Sequence, residues 1–297
     1  MGLAPFLDNS FLGERIGAIA LAGLYLPGLE GRPHDVPKRS WRAVLGVVLR
    51  SACPLGRAAG ELRAAGLWAE ALVLEAPGVL SLAERLVEAE RVVTAFSDGY
   101  PQRWLKFEFA PPAIYCAGGM GLGDASFLSI VGSRVVSAGV RAFAAEVGLE
   151  AARFGYTVFS GGAAGCDKAG VSRVGTFVEL LPRGLNGLEP NDGGCRLSLR
   201  PFREPFSVGA AMERNALIYA ASEHSVVAHA RFKQGGTWTG ATEALRRKLT
   251  RLIVRRDLGE LGHRALASLG AFELEAPAQL KEALEAQGGQ QDLFGDA

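Results

Sequence analysis

The sequence has few of the residues that build metal and redox sites. Its four cysteines, Cys53, Cys116, Cys166 and Cys195, are scattered and include no C-x-x-C pair. No histidine lies near any of them at the spacing of a zinc site. We therefore expect no metal, no cofactor and no disulfide framework, which is typical of a protein of the reducing cytoplasm.

Long apolar runs are also missing. The most apolar stretch, residues 16–26, is too short to span a bilayer and contains glycine. The first ten residues lack the basic segment followed by an apolar run that marks a signal peptide. These absences predict a cytoplasmic protein with no membrane partner.

An excess of charge of one sign is absent as well. The chain has 32 Lys and Arg against 31 Asp and Glu, so its net charge gives no sign of a polyanion partner. A local basic patch would still be enough to bind phosphates. With 297 residues, 48% of them hydrophobic, the chain can bury a large core and is expected to form two domains and a tail.

Residues 1–96 predict a small helical domain. They are rich in Ala, Leu, Arg and Glu, and Val79–Val93 shows the clearest helical period. Leu82, Leu86 and Val93 recur at spacings that favour one helix face. This part of the chain offers no recognisable chemistry.

Residues 97–287 predict an α/β domain. From "FLSIVGSR" onward, short apolar strands alternate with helical segments such as Ala138–Phe154. The later strands are "GYTVFSGG", "GTFVELL", "HSVVAHA" and "TRLIVRR". This alternation indicates an extended Rossmann-like, mostly parallel sheet with helices on both faces. The polar, glycine-rich residues 288–297 are expected to be a disordered tail.

Small residues and hydrogen-bond donors follow three of these strands. A glycine after a buried strand lets a ligand approach the backbone, and successive N–H groups at a helix start attract anions. A single such turn could exist only for packing, but three at one edge of a sheet favour a phosphate-bearing ligand. The candidate residues are Gly132, Ser133 and Arg134 in the first turn, Ser160, Gly161, Gly162 and Gly165 in the second, and Lys233, Gly235, Gly236 and Thr237 in the third.

Motifs of the common nucleotide enzymes are absent. There is no G-x-G-x-x-G followed by an acidic residue about twenty positions later, and no P-loop. No Ser/His/Asp set stands out, and His224 and His229 bracket a predicted buried strand, where we expect core-edge residues. We therefore expect no catalytic residue and no enzyme activity.

Several motifs together resemble the DNA-processing protein A (DprA/Smf) family. They are "SIVGSRVVSAG", "GYTVFSGGAAGCDKAG", the stretch from "LSLRP" to "MERNALIYAAS", "YPQRW" and "PPAIYCAGG". The resemblance extends from about Tyr100 to Leu284. It implies an extended Rossmann fold that binds single-stranded DNA at the glycine-rich face. It also implies homodimers, DNA uptake or recombination as the setting, and handover of DNA to a strand-exchange recombinase.

The resemblance also implies roles for individual residues. Phosphate contacts would fall on Ser133, Arg134, Gly161, Gly162, Gly165 and Lys233, and Arg214 and Asn215 would complete the pocket. Asp167 would cap the following helix or orient the loop. The chain departs from the family at Ala164 and Ala216, where arginine is usual, and at Leu199, where glutamate is usual. We expect no winged helix after the α/β domain.

The end of the chain suggests a second partner. Gln290, Asp292, Leu293 and Phe294 resemble the Q-x-[DS]-L-F peptide by which bacterial proteins bind the sliding clamp. A Leu-Phe pair in a polar tail is unusual unless it anchors in a pocket. The alternative is a tail without a partner, or one that folds back on its own core.

A single-stranded DNA-binding protein is the leading functional hypothesis. Trp238 could stack on a base in such a protein, or it could be a packing residue. One alternative is a sensor that binds a small nucleotide-derived ligand with the same fold and donors. The other is a phosphoribohydrolase that resembles the lysine-decarboxylase-like (LOG) enzymes, because "QGGTWTGATE" loosely echoes their P-G-G-x-G-T-x-x-E motif, with Trp238 and Glu243 out of pattern.

Overall fold

The computed structural model describes residues 58–68, 71, 75, 92–94, 99–107, 109–111, 113–118, 125–185, 193–200, 203 and 205–285. The chain divides into two compact units. The first comprises residues 1–124, 183–188 and 197–206, and the second comprises 125–182, 189–196 and 207–297. Most of the predicted helical domain and all of the predicted tail lie outside the described residues, so the division at residue 96 stays a prediction.

The described part of the first unit contains a short helix and an antiparallel strand pair. Its elements are α1 (Ala58–Ala64), β1 (Val92–Thr94), a 3₁₀-helix (Gln102–Lys106) and β2 (Ala113–Ala117). Val93 was expected on a helix face, and this is wrong, because Val93 pairs with Ile114 in the β1–β2 ladder. Two β-branched valines and a threonine in succession favour an extended strand over a helix.

Six neighbouring strands of the second unit pair in parallel. Its elements are β3 (Phe127–Gly132), α2 (Ala138–Arg153), β4 (Thr157–Ser160), α3 (Cys166–Val171), β5 (Phe177–Leu181), β6 (Gly194–Ser198, of which the part up to Arg196 belongs here), α4 (Val208–Ala221), β7 (His224–His229), α5 (Gly235–Arg246), β8 (Arg251–Arg255), α6 (Leu261–Ser268), β9 (Phe272–Leu274) and α7 (Leu280–Glu285). The strand order is β5-β4-β3-β7-β8-β9, and all five of these pairings are parallel. This confirms the predicted Rossmann-like α/β class.

The strand order reverses direction between β3 and β7. The chain first builds the sheet outward through β4 and β5, and it then crosses back to add β7, β8 and β9 on the other side of β3. In open parallel sheets, the crevice at such a reversal is where ligands bind, outside the carboxyl ends of the strands. The topology thus singles out the end of β3 and the end of β7.

The core explains why these segments become strands and helices. Every residue of β3 and β5 is buried, as expected for parallel strands covered on both faces. Helix α2 contributes a buried stripe at helical spacing, Val140, Ala144, Val147 and Ala151. The Ser137 hydroxyl begins this helix by accepting the Val140 N–H at 3.3 Å. Of the helices in the described ranges, none has the length and hydropathy that a bilayer crossing requires.

A glycine sets the close approach of α2 to α3. A Cβ atom at Gly148 would lie 1.9 Å from the carbonyl oxygen of Gly170, so the two backbones can touch only without a side chain there. This contact matters for the site, because α3 carries Asp167.

We expect Gly148→Ala to destabilise the fold, because the new methyl group would push α3 away from α2. Overpacking of this kind costs about 1–3 kcal/mol, occasionally more. Gly139→Ala in the same helix is the matched control. The nearest atom to a Cβ at that position is 3.9 Å away, so this change should be neutral or stabilise by up to about 1 kcal/mol. Urea unfolding of both variants measures the difference, and equal stabilities would contradict the packing argument.

Candidate functional site

The three glycine-containing turns lie at the same edge of the sheet. They follow β3, β4 and β7, and these strands are neighbours in the order β4-β3-β7. Because the strands are parallel, their carboxyl ends meet at one edge. The predicted site residues of these turns are therefore brought together by the fold.

Asp167 joins the first two turns. Its Oδ1 accepts the Gly132 N–H at 3.2 Å, and its Oδ2 accepts the Gly161 N–H at 3.1 Å. The side chain is buried, and desolvation raises the pKa of Asp167 to about 6, although the nearby Arg214 lowers it. The residue at the N-terminal cap of α3 is Gly165, without a side-chain bond. Asp167 was expected either to cap the following helix or to orient the loop, and its geometry is that of a loop-orienting residue.

Gly165 lets the two turns touch. Its φ is +83°, and a Cβ there would lie 2.3 Å from the Ser133 carbonyl oxygen and 2.5 Å from that of Arg134. The next residue, Cys166, donates its N–H to the Ser133 oxygen at 3.3 Å. A side chain at position 165 would thus be strained and would separate the turns.

The second turn does not offer the open N–H groups that the sequence suggested. The Gly161 N–H is bound by Asp167, and the Gly162 N–H donates to the buried Ser160 hydroxyl at 3.3 Å. The loop folds back on itself at these two glycines and satisfies their N–H groups, as buried polar groups must be. Ser160, Gly161 and Gly162 therefore shape the loop, and charged side chains have to hold any anion beside it.

Arg214 packs directly against this loop. It lies in α4 and is 4% exposed, and a Cβ at Gly161 would come within 1.8 Å of its Nη1. Its buried Nε has no hydrogen-bond acceptor, and within the described residues no carboxylate forms an ion pair with it. Burial lowers the pKa of Arg214. The chain thus holds a nearly unsolvated guanidinium against a glycine at the edge of the sheet.

A buried glutamate under the second turn was not predicted. Glu179 in β5 is 1% exposed, and its Oε1 lies 2.6 Å from Lys168 Nζ while its Oε2 lies 3.3 Å from Arg196 Nε. Its Cδ would be 3.3 Å from a Cβ at Gly162. The one sequence signal was a glutamate inside the apolar strand "FVELL", where an unsolvated charge requires partners.

The third turn begins α5. Lys233 and Gly235 both have positive φ values, +53° and +74°, and Gln234 caps the helix without a side-chain bond. Gly236 lies beside α4, because its Cβ would be 3.5 Å from Asn215 Nδ2. Thr237 follows in the first turn of the helix. A lysine in the left-handed region carries backbone strain of a kind that is concentrated at functional sites.

An aromatic pair accompanies this turn. Phe232 and Trp238 meet edge to face with ring centroids 5.0 Å apart, and Lys233 Nζ lies 5.2 Å from the centroid of Phe232. Phe232 is 39% exposed and Trp238 is half-buried. Trp238 is thus a surface residue packed on a second ring, and it does not belong to the sheet core.

A serine, a histidine and a glutamate also meet at this edge, although the sequence did not indicate such a set. Ser133 Oγ lies 2.8 Å from His229 Nδ1, and His229 Nε2 lies 3.4 Å from Glu260 Oε2. His229 is the last residue of β7, as its position at the strand edge suggested. The residues are far apart in the chain, so only the strand order brings them together.

A model of the family described as DNA recombination-mediator protein A matches residues 91–284. The chain belongs to this family. The match confirms the resemblance drawn from the motifs and assigns the protein to a family of DNA-processing function. No protein of curated function matches the sequence.

Two solved structures of DNA processing protein A share the fold. The Streptococcus pneumoniae protein superposes with a TM-score of 0.66 at 15% identity, over 90% of this chain and 97% of that one. The Helicobacter pylori protein, described for its single-stranded DNA binding mode, has a TM-score of 0.56 at 23% identity, over 62% of this chain and 92% of that one. At these identities the likeness shows the fold.

The substitution Asp167→Asn should loosen the two turns. An amide has one acceptor oxygen, so either the Gly132 or the Gly161 N–H would face an NH₂ group. A buried donor without a partner costs about 1–3 kcal/mol, and we expect this loss in urea unfolding near neutral pH. Glu275→Gln is the control, because that carboxylate is 66% exposed and surface changes usually cost less than about 0.5 kcal/mol. An Asp167→Asn protein as stable as the control would contradict the bridging role.

Proposed function

We propose that this protein binds single-stranded DNA along the carboxyl edge of β4, β3 and β7. The observation that carries the proposal is the buried guanidinium of Arg214 over Gly161. A buried charge is costly unless it is paired. Asp167 and Glu179 act on this guanidinium through their charges but form no ion pair with it in the described residues, and a phosphate group of a bound strand would supply the missing hydrogen-bond acceptor.

The nearby carboxylates support this assignment because both are already engaged. The two oxygens of Asp167 accept backbone N–H groups, and the two oxygens of Glu179 face Lys168 and Arg196. Arg214 therefore keeps its donors for a group from outside. Arginine suits this role because its planar fork binds phosphate in a bidentate manner.

Other groups of the edge extend the proposed contact. Arg134 is exposed at the end of the first turn, and Lys233 is exposed at the start of the third. The uncapped first turn of the twelve-residue helix α5 adds backbone N–H groups and the positive end of a helix dipole. The Phe232–Trp238 pair offers a ring face on which a base could stack. Such binding depends on phosphates and weakens as salt rises.

Family membership supports the proposal that the protein acts as a mediator and not as an enzyme. In that role it would work as a homodimer, in the cytoplasm, and pass single-stranded DNA to a strand-exchange recombinase during uptake, recombination or repair. Glu243, the glutamate of the loosely enzyme-like motif, is ion-paired with Arg246 and Arg247 on α5. That engagement gives no support to a phosphoribohydrolase.

A small nucleotide-derived ligand is the second candidate. Ala164 is exposed on the second turn and Ala216 is half-buried on α4, at positions where the family usually has arginine. A site with fewer cations suits a smaller anion. The length of the preferred ligand distinguishes the two candidates.

We expect labelled dT oligonucleotides to bind more tightly as their length increases, in a fluorescence anisotropy assay. Arg214→Met and Arg134→Ala should each weaken binding by about 10- to 150-fold, the value of a charge-assisted hydrogen bond of about 1.5–3 kcal/mol. Each should also reduce the slope of log affinity against log salt by about 0.7 for every phosphate that the variant no longer neutralises. Arg153→Ala is the control. Arg153 is an exposed arginine at the end of α2, paired with Glu150, and its removal should change neither value.

The outcomes separate the hypotheses. Weak binding that mononucleotides compete away at equal concentration would favour the small ligand. Release of free base from a nucleoside monophosphate would identify the enzyme. No binding of any oligonucleotide at low salt would overturn the proposed function.

We also propose that residues 290–294 bind the sliding clamp. Gln290, Asp292, Leu293 and Phe294 lie outside the described residues, so the proposal rests on their motif. Deleting residues 290–297 should abolish retention on immobilised clamp, and replacing Leu293 and Phe294 by alanine should do the same, because the apolar pair supplies the anchor. Gln287→Ala, just outside the motif, should retain binding. Full retention of the deleted protein would reject the clamp as a partner.

A further inference from the structure

A chain of polar contacts runs from the predicted anion site to the start of the helix that follows β8. Ser133 follows β3, His229 ends β7, and Glu260 caps the helix α6 that follows β8. An irregularity in the β3–β7 ladder places His229, and not Ala228, opposite Gly132. Bulges re-aim side chains next to functional sites. Here the bulge brings the imidazole against the Ser133 hydroxyl.

Glu260 determines which imidazole nitrogen of His229 carries the hydrogen. Its Oε1 accepts the Gly262 N–H at 3.5 Å as the cap of α6, and its Oε2 faces His229 Nε2 at 3.4 Å. A carboxylate on that side favours a hydrogen on Nε2. In the neutral ring Nδ1 is then an acceptor, and the Ser133 hydroxyl donates to it over 2.8 Å.

This arrangement makes the Ser133 hydroxyl a poor donor to a phosphate. With its hydrogen committed to His229, the hydroxyl shows lone pairs to the site, and these repel phosphate oxygens. In the part of the chain that the structure describes, Oγ has one other acceptor, the His229 carbonyl, which is 3.4 Å away and already accepts the Ser133 N–H at 3.0 Å. A second proton on His229 reverses the bond. Nδ1–H then donates to Oγ, the hydroxyl hydrogen is released toward the ligand, and a positive charge is added beside it.

The other groups around His229 leave it as the titrating residue of this cluster. His263 packs edge to face at 5.5 Å, but its Nε2 accepts the Ala230 N–H and its Nδ1 donates to the Arg255 carbonyl. His263 is thus held neutral, and burial lowers its pKa. Burial also lowers the pKa of His229 from 6.5; Glu260 and Asp257 oppose this shift, and Arg255 and Arg231 add to it.

We propose that His229 is a positioning residue that couples anion binding at Ser133 to uptake of one proton. In the free protein the ring is neutral near neutral pH, and a bound phosphate favours the protonated ring. The pKa of His229 is then higher in the complex than in the free protein. Affinity for the anion therefore rises as the pH falls through the pKa of His229 in the complex, and it levels off at pH values below the pKa of His229 in the free protein. The inference rests on the proposed function, because it needs an anion at the end of β3.

The test is the affinity for a labelled dT oligonucleotide from about pH 8 to about pH 5.5 at constant ionic strength. We expect wild-type affinity to rise with falling pH, by at most about tenfold per pH unit for one linked proton. His229→Asn should bind at the wild-type high-pH level with a flat profile. Ser133→Ala should lose most of the pH dependence, because the hydroxyl that His229 orients is gone.

Calorimetry gives a second readout that a purely structural role would not change. Titration in two buffers of different ionisation enthalpy should show proton uptake for the wild type near neutral pH and none for His229→Asn. Asp167, with a pKa of about 6, is the competing source of a pH dependence in this range. If the pH dependence of affinity stays equally steep in His229→Asn, it comes from Asp167, and the inference is overturned.

Failure of the inference differs from failure of the proposed function. Binding that is tight and salt-dependent but flat in pH for the wild type rejects the role of His229 and leaves the DNA site intact. Absence of binding at every pH rejects the proposed function itself.

Discussion

The carboxylate of Asp167 bridges the ends of two neighbouring strands, and the geometry of the site depends on it. One oxygen accepts the N–H of Gly132, the last residue of β3, and the other accepts the N–H of Gly161, directly after β4. The residue can reach both because it lies in the first turn of α3, and α3 is placed by backbone contact at Gly148 with α2 and at Gly165 with the first turn. The desolvation that raises the pKa of Asp167 is the cost of this arrangement.

The bridge formed by Asp167 also determines which groups are left to bind an anion. Because the Gly161 and Gly162 N–H groups are used internally, anion recognition at the second turn passes to side chains. In the described residues Arg214 contributes a guanidinium that forms no ion pair with Asp167 or Glu179, although their charges act on it, and Arg134 and Lys233 extend the positive charge outward. A neutral protein with no general excess of basic residues can thus present a strongly local cation.

Much of the fold could be predicted from the sequence. Alternating strand and helix patterns identified the parallel sheet, and the glycine motifs identified the turns at its edge and the family. Val93 shows the limit of this reasoning. The predicted helix ran on into a β-branched segment that directly follows the helical pattern, and that segment forms a strand. Helical periodicity spans several turns, whereas a three-residue strand is stabilised by its partner Ile114 on β2, which local pattern does not reveal.

The sequence identified many residues of the candidate site but not the contacts that each of them makes. The sequence by itself determined which loops carry glycine, serine and cations, because those residue types are required wherever a backbone turns sharply beside a ligand. Only the tertiary structure decided that Ser160 and the N–H groups of Gly161 and Gly162 face inward, that Glu179 pairs with both Lys168 and Arg196, and that Ser133 meets His229. Those contacts depend on strand order and on a bulge in one ladder, and they join residues up to 96 positions apart in the chain.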